Sequence, residues 1–126
     1  MDAPTRLDPT VRRYVAAMQT GAMAEQDMMA LFTEDAVYVE PFSGAPRTHE
    51  GKPAIRRAMV EGWKTPLPDM RLEVDRVDVD GEVVRAQWTC ISPALPGGKG
   101  RGENTFTLRE GRITRLETRL LFGGGS

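Results

Sequence analysis

The stretch "RLEVDRVDVDGEVVRAQWTCIS", residues 71–92, carries the reading on which the fold depends. Leu72 and Val74 continue an alternation begun by Met70, and then Val77 and Val79 alternate in the opposite phase. Period-two alternation predicts a strand with one buried face. The phase slip predicts a β-bulge near Asp75-Arg76, which bends the strand. Asp80-Gly81 is a hairpin turn signal. The return over 83–92 places Ala86, Trp88 and Cys90 on one side. A long, bulged antiparallel hairpin implies a curved sheet, and a curved sheet has a concave face to cover.

The chain upstream supplies the cover. Asp8-Pro9 reads as a helix start, with Asp as N-cap and Pro in the first turn. Val11, Tyr14, Val15 and Met18 then form one apolar stripe, and Gly21 reads as the stop. A second helical piece is predicted over 24–32, with Met28, Leu31 and Phe32 inward. A short strand over 36–40 follows, and then a Pro-, Gly- and Ser-rich loop over 41–51. A third helix begins near Pro53, carries Ile55, Met59 and Trp63 on one side, and ends at Gly62 and the Pro66/Pro68 pair. Downstream of the hairpin, "PALPGGKGRG" reads as a flexible connection. Asn104, Phe106 and Leu108 share one face of a further strand, Glu110-Gly111 turns the chain, and the last strand aligns Leu116, Leu120 and Phe122. The expected class is α+β: three N-terminal helices on a curved, mainly antiparallel sheet, a cone around an apolar pocket.

The 126 residues suit one domain over 1–122, followed by a Gly-rich tail at 123–126 read as flexible. A formal net charge of −1 does not favour nucleic acid or an anionic membrane surface. No apolar run approaches the roughly 20 residues needed to span a bilayer, and "MDAPTRLDPT" has no apolar core, so neither a membrane span nor a signal peptide is expected. The lone Cys90 permits no internal disulfide and fits a reducing cytoplasm. It reads as a buried, inert thiol. The lone histidine, His49, removes most zinc sites, and no metal or cofactor is expected. His49 itself reads as a surface residue of the 41–51 loop. Arg56-Arg57 reads as a solvated helix face. No Walker, GxGxxG, HExxH or GxSxG pattern occurs.

Three polar side chains fall on faces that the pattern turns inward. Tyr14 lies on the first helix's buried stripe, Glu40 ends the first strand on the Ala36/Tyr38 face, and Asn104 lies on the Phe106/Leu108 face. Each has an ordinary structural reading: a core tyrosine, a solvated strand end, an asparagine that satisfies a turn. Their weight lies in the combination.

The chain resembles bacterial Δ5-3-ketosteroid isomerases and the wider SnoaL-like group of the NTF2-like superfamily. The residues that carry the likeness are "VRRYVAAM", "ALFTEDAVYVEPFSGAPRTHEG", "AIRRAM" and "RLLFG". The resemblance implies that Tyr14 is an oxyanion donor and that Glu40 is the general base, where the family keeps an aspartate. Asn104 would be the second donor, where the family keeps a protonated aspartate, and Met59 stands where the family has a supporting tyrosine. Phe42, Met59, Trp63, Trp88 and Phe122 would line the pocket. The implied activity moves a C=C bond into conjugation with a ketone through a dienolate in a hydrophobic, steroid-like ligand, in a homodimer. A polyketide cyclase or other enzyme on the same cone, or a non-catalytic binder of a hydrophobic small molecule, stands as the alternative. An epoxide hydrolase fits poorly, because Ala86, Trp88 and Cys90 stand inward where that pattern needs charged residues.

Overall fold

The computed structural model describes residues 9–42 and 44–121. Helix α1 spans Pro9–Thr20 and buries Val11, Tyr14 and Ala17. Gly21 takes φ 87° and so ends it at the expected place. Asp8, the expected cap, lies outside the described residues, as do Phe122 and the tail. A 3₁₀ turn, Ala22–Ala24, leads into α2, Glu25–Ala30. Strand β1, Phe32–Glu40, and the four-residue β2, Arg47–Glu50, precede α3, Lys52–Trp63. Strands β3 (Arg71–Asp80), β4 (Val83–Ile91), β5 (Lys99–Arg109) and β6 (Arg112–Leu121) complete the chain.

Three helices pack on one six-stranded sheet of order β2-β1-β6-β5-β4-β3, an α+β fold. The sheet is mixed: β1 runs parallel to β6, and every other neighbouring pair is antiparallel. The expected bulge is present, since the β3–β4 register shifts between Val74 and Arg76. A second shift, between Thr107 and Leu108, breaks the parity of β5 against β6. The core lies between the helices and the concave face, with Val11, Met28, Phe32, Ile55, Phe106, Ile113 and Leu116 fully enclosed. The far end of α1 is tied to the sheet by Gln19, which bonds Met70 O and accepts the N–H of Leu72.

Five readings change. The second helix stops at Ala30, and Phe32 opens a strand instead of closing a helix. The Ile113 N–H donates to Leu31 O at 2.7 Å, so pairing with β6 draws the chain out of the helix. The 41–51 loop contains β2, whose mostly exposed residues carry no apolar alternation because it is an edge strand. The connection after β4 ends at Gly98, and "KGRG" belongs to β5. Leu120 is in phase with Leu116 but is 40% exposed, opposite Gly102 and one residue from the end of β6. Helix α3 also runs through Gly62 to Trp63.

Candidate functional site

The register places the sequence candidates in one transverse row. Glu40 pairs with Arg47 on β2. Val39 pairs with Glu117 on β6, so one residue further sets Glu40 beside Thr118. Thr118 pairs with Asn104, Asn104 with Ala86, and Ala86 with Val77. Glu40 and Asn104 are thus two strands apart on the concave face, about 10 Å between backbones at the usual strand spacing. The next row holds His49, Tyr38, Leu116, Phe106 and Val84. Helix α1 lowers Tyr14 onto these rows, its ring edge-on to Phe106 with centroids 5.1 Å apart.

At the inner end, Trp88, Asn104 and Tyr14 stand together, with Trp88 and Asn104 hydrogen-bonded. Trp88 is paired with Gly102, and its ring lies directly over that glycine. A Cβ there would fall 2.5 Å from Cη2 and 2.7 Å from Cε2. The indole thereby reaches Asn104, with Nε1 donating to Oδ1 at 3.2 Å. An indole N–H only donates, so the amide atom it meets is the oxygen. The Asn104 NH₂ is left for Tyr14, the side-chain partner of Asn104 at this end. Burial pushes the Tyr14 phenol well above its ordinary pKa, and the Asn104 bond opposes that shift. Donation from the amide to the phenol oxygen leaves the Tyr14 O–H proton free for another acceptor. Tyr38 lies between the two ends and bonds Thr118; burial first, then the nearby Tyr14 and Glu40, push its phenol up.

At the outer end, Glu40 is 4% exposed, makes three hydrogen bonds, to Phe42, Arg47 and His49, and is ion-paired with Arg47. Oε1 accepts the Phe42 N–H at 2.8 Å. Oε2 accepts Arg47 Nε at 2.9 Å, lies 2.8 Å from Arg47 Nη2 in the ion pair, and meets His49 Nε2 at 2.9 Å. Burial by itself would raise the carboxyl pKa, but the bonds from His49, Phe42 and Arg47 outweigh it and hold the group below its ordinary range. The Pro41 break makes this possible: the chain turns there and presents the Phe42 N–H to the side chain two residues back.

The remaining expected lining residues divide. Met59 is buried, and Trp63 is partly buried against the core. The Phe42 ring is 58% exposed, so this residue reaches the site through its backbone N–H and not through its ring. Phe122 lies outside the described residues. Tyr14, Glu40 and Asn104 are all buried, and neither of two surface clefts includes them. One cleft, about 650 Å³, lies among Glu25, Met29, Glu34, Lys52 and Arg56; the other adjoins Arg13, Ala17 and Asp27. Cys90 is buried, which pushes its thiol pKa up. Arg56 is exposed and paired with Glu25.

Sequence reasoning missed His49 and Arg47. His49 is not a loop surface residue: it stands on β2 opposite Tyr38, with its side chain only 17% exposed. The available signal was the alternation within "RTHE", which sets Arg47 and His49 on one face just after a turn. Among the described residues no group of three or more His, Cys, Asp or Glu could hold a metal ion, and no helix is long and apolar enough to cross a membrane.

A family model described as SnoaL-like domain matches residues 11–116. Among solved structures, the chain is similar to a proposed polyketide cyclase from Sinorhizobium meliloti. The two are 26% identical with a TM-score of 0.73, over 90% of this chain and 95% of that one. It is similar to a proposed ketosteroid isomerase from Kribbella flavida, 20% identical, TM-score 0.68, over 89% of this chain and 75% of that one. It is also similar to an NTF2-like protein of unknown function from Burkholderia pseudomallei, 20% identical, TM-score 0.73, over 92% and 91%. The latter two likenesses are of fold alone.

Proposed function

Because this chain belongs to the SnoaL-like domain family, we propose that it is an acid–base enzyme that removes a proton α to a carbonyl in an apolar small molecule. The leading form is a ketosteroid-isomerase-like reaction. A base at the Glu40 end takes the α proton, and the C–H electron pair becomes a C=C bond. The carbonyl π pair moves to oxygen. The Tyr14 O–H donates to that oxygen as its charge grows, within a buried site where such a bond is strong. Return of the proton at the γ carbon restores the ketone, now in conjugation.

The observation that carries this reading is the buried Tyr14 phenol beside Asn104, whose amide is fixed by Trp88 so that its NH₂ is left for the phenol oxygen. A hydroxyl so arranged suits a developing oxyanion. Asn104 then acts through Tyr14 as a positioning residue, where the resemblance implies a second donor. Since Tyr14 is only 3% exposed, ligand entry requires side chains to move aside. The test is an ultraviolet assay of a Δ5-3-ketosteroid, which gains an absorbing enone on isomerisation. Turnover that falls at least about 100-fold in Tyr14→Phe supports the reading. Absence of turnover in the wild-type chain overturns the isomerase form.

The second form is a polyketide cyclase, favoured by the likeness to the Sinorhizobium meliloti protein. The same enolate would attack a second carbonyl instead of being reprotonated. Ring closure of a poly-β-ketone, with the steroid left unchanged, selects it. The homodimer that the resemblance implies is carried as part of the proposal. Light scattering at twice the 13.9 kDa chain mass is its expected result, and a monomer refutes it.

A further inference from the structure

We infer that the atom taking the proton is Nδ1 of His49, with Glu40 as the residue that positions the ring. This rests on the proton-transfer reading above and changes the atom that performs its first step. Three observations carry it.

The first is the state of the carboxylate. Oε2 of Glu40 meets three donor nitrogens, and Oε1 holds the Phe42 N–H. A carboxylate oxygen has about two lone-pair sites, so Oε2 is saturated. Protonation of Glu40 would cost bonds it already makes.

The second is the tautomer. An ionised carboxylate only accepts, so the ring nitrogen 2.9 Å from Oε2 carries the hydrogen. In the neutral ring the lone pair is then on Nδ1, to which no described group is bonded. A base held through its other nitrogen by a buried carboxylate is oriented, and the imidazolium is stabilised as it forms.

The third is placement. His49 pairs with Tyr38, so both side chains rise from the concave face; their ring centroids are 5.8 Å apart. Around the imidazole stand the Glu40 carboxylate, the Arg47 guanidinium on the same Oε2, and the Tyr38 phenol. Helix α3, which packs on β2, adds Lys52 paired with Glu34, Arg56 paired with Glu25, Lys64 paired with Glu61, and Arg57.

The step balances within the ligand and the ring. The α C–H bond breaks, its pair enters the new C=C bond, and the proton binds Nδ1. The Nδ1–H bond then breaks and the proton goes to the γ carbon, leaving the ring neutral.

The two candidate bases give opposite results. If His49 is the base, His49→Gln lowers kcat/KM for a Δ5-3-ketosteroid by about 100- to 10,000-fold, while Glu40→Gln costs less. If Glu40 is the base, His49→Gln only removes one of its donors and the rate stays level or rises, while Glu40→Gln abolishes turnover. Such a result overturns the inference. A circular dichroism melt accompanies each variant, and Glu40→Asp replaces Glu40→Gln if the latter does not fold. A readout free of turnover uses the fact that His49 is the chain's one histidine. Nitrogen-15 NMR of the full chain is expected to show protonated Nε2 and bare Nδ1 in the neutral ring, a preference that weakens in Glu40→Gln. A protonated Nδ1 overturns the inference even if catalysis is found. The expected tautomer in a chain that isomerises nothing leaves the pair standing and refutes the isomerase reading instead.

Discussion

Replacing Gly102 with alanine should unsettle the inner end of the site without touching any polar group. A Cβ at 102 would come 2.5 Å from Trp88 Cη2, inside any real carbon–carbon contact, so the indole must move. Overpacking of this kind costs about 1–3 kcal/mol. The displaced indole also gives up its bond to Asn104, worth about 1 kcal/mol. Alanine stiffens the unfolded chain and returns about 0.4–1 kcal/mol. The net loss is about 2 kcal/mol, which for a chain of this size lowers Tm by roughly 6–10 °C. Urea unfolding followed by tryptophan fluorescence and far-ultraviolet circular dichroism measures it. The control is the same substitution in a Trp88→Leu background, where the new methyl has room and the cost should vanish. A Gly102→Ala chain within about 0.5 kcal/mol of wild type refutes the reasoning. So does an equal cost in both backgrounds.

Glu40→Gln should destabilise the fold by about 1.5–3 kcal/mol near neutral pH, because hydrogen bonds to a charged acceptor are lost. The folded pKa of Glu40 lies below its unfolded value, so its contribution is present above the unfolded pKa and fades as pH falls through the folded one. The gap between wild type and variant should therefore narrow as pH falls below the ordinary carboxylate range; a gap that does not narrow at all in paired denaturation curves down to the acid limit of folding contradicts the bonding described. Tyr14→Phe should keep the fold within about 1 kcal/mol while weakening a phenolic steroid, and equal affinity in a binding titration would remove the tyrosine from the oxyanion role. Cys90 should react with a disulfide reagent only as the chain opens, because its thiol is buried and its pKa raised. Rapid stoichiometric labelling of the native chain would contradict that.

The two ends of the site were unequally legible. Tyr14 and Asn104 could be placed inward from local pattern, since each lies on a period set by apolar neighbours. Parity could not show that Trp88 fixes the amide, because the indole reaches diagonally across a glycine on the next strand. Glu40 was legible as a carboxylate at a broken strand. Its partners were not, because β2 is an exposed edge whose residues look like loop.

The layers are written in local sequence. Helix periods, the bulge and the Asp80-Gly81 turn are local signals, and each is written within a few residues of where it acts. Tertiary structure decided what is paired with what: Phe32 in a strand, β1 parallel to β6, and His49 against Glu40. Those outcomes depend on hydrogen bonds between segments far apart in the chain, such as the Ile113 N–H to Leu31 O. No local period encodes which distant carbonyl a backbone donor will find.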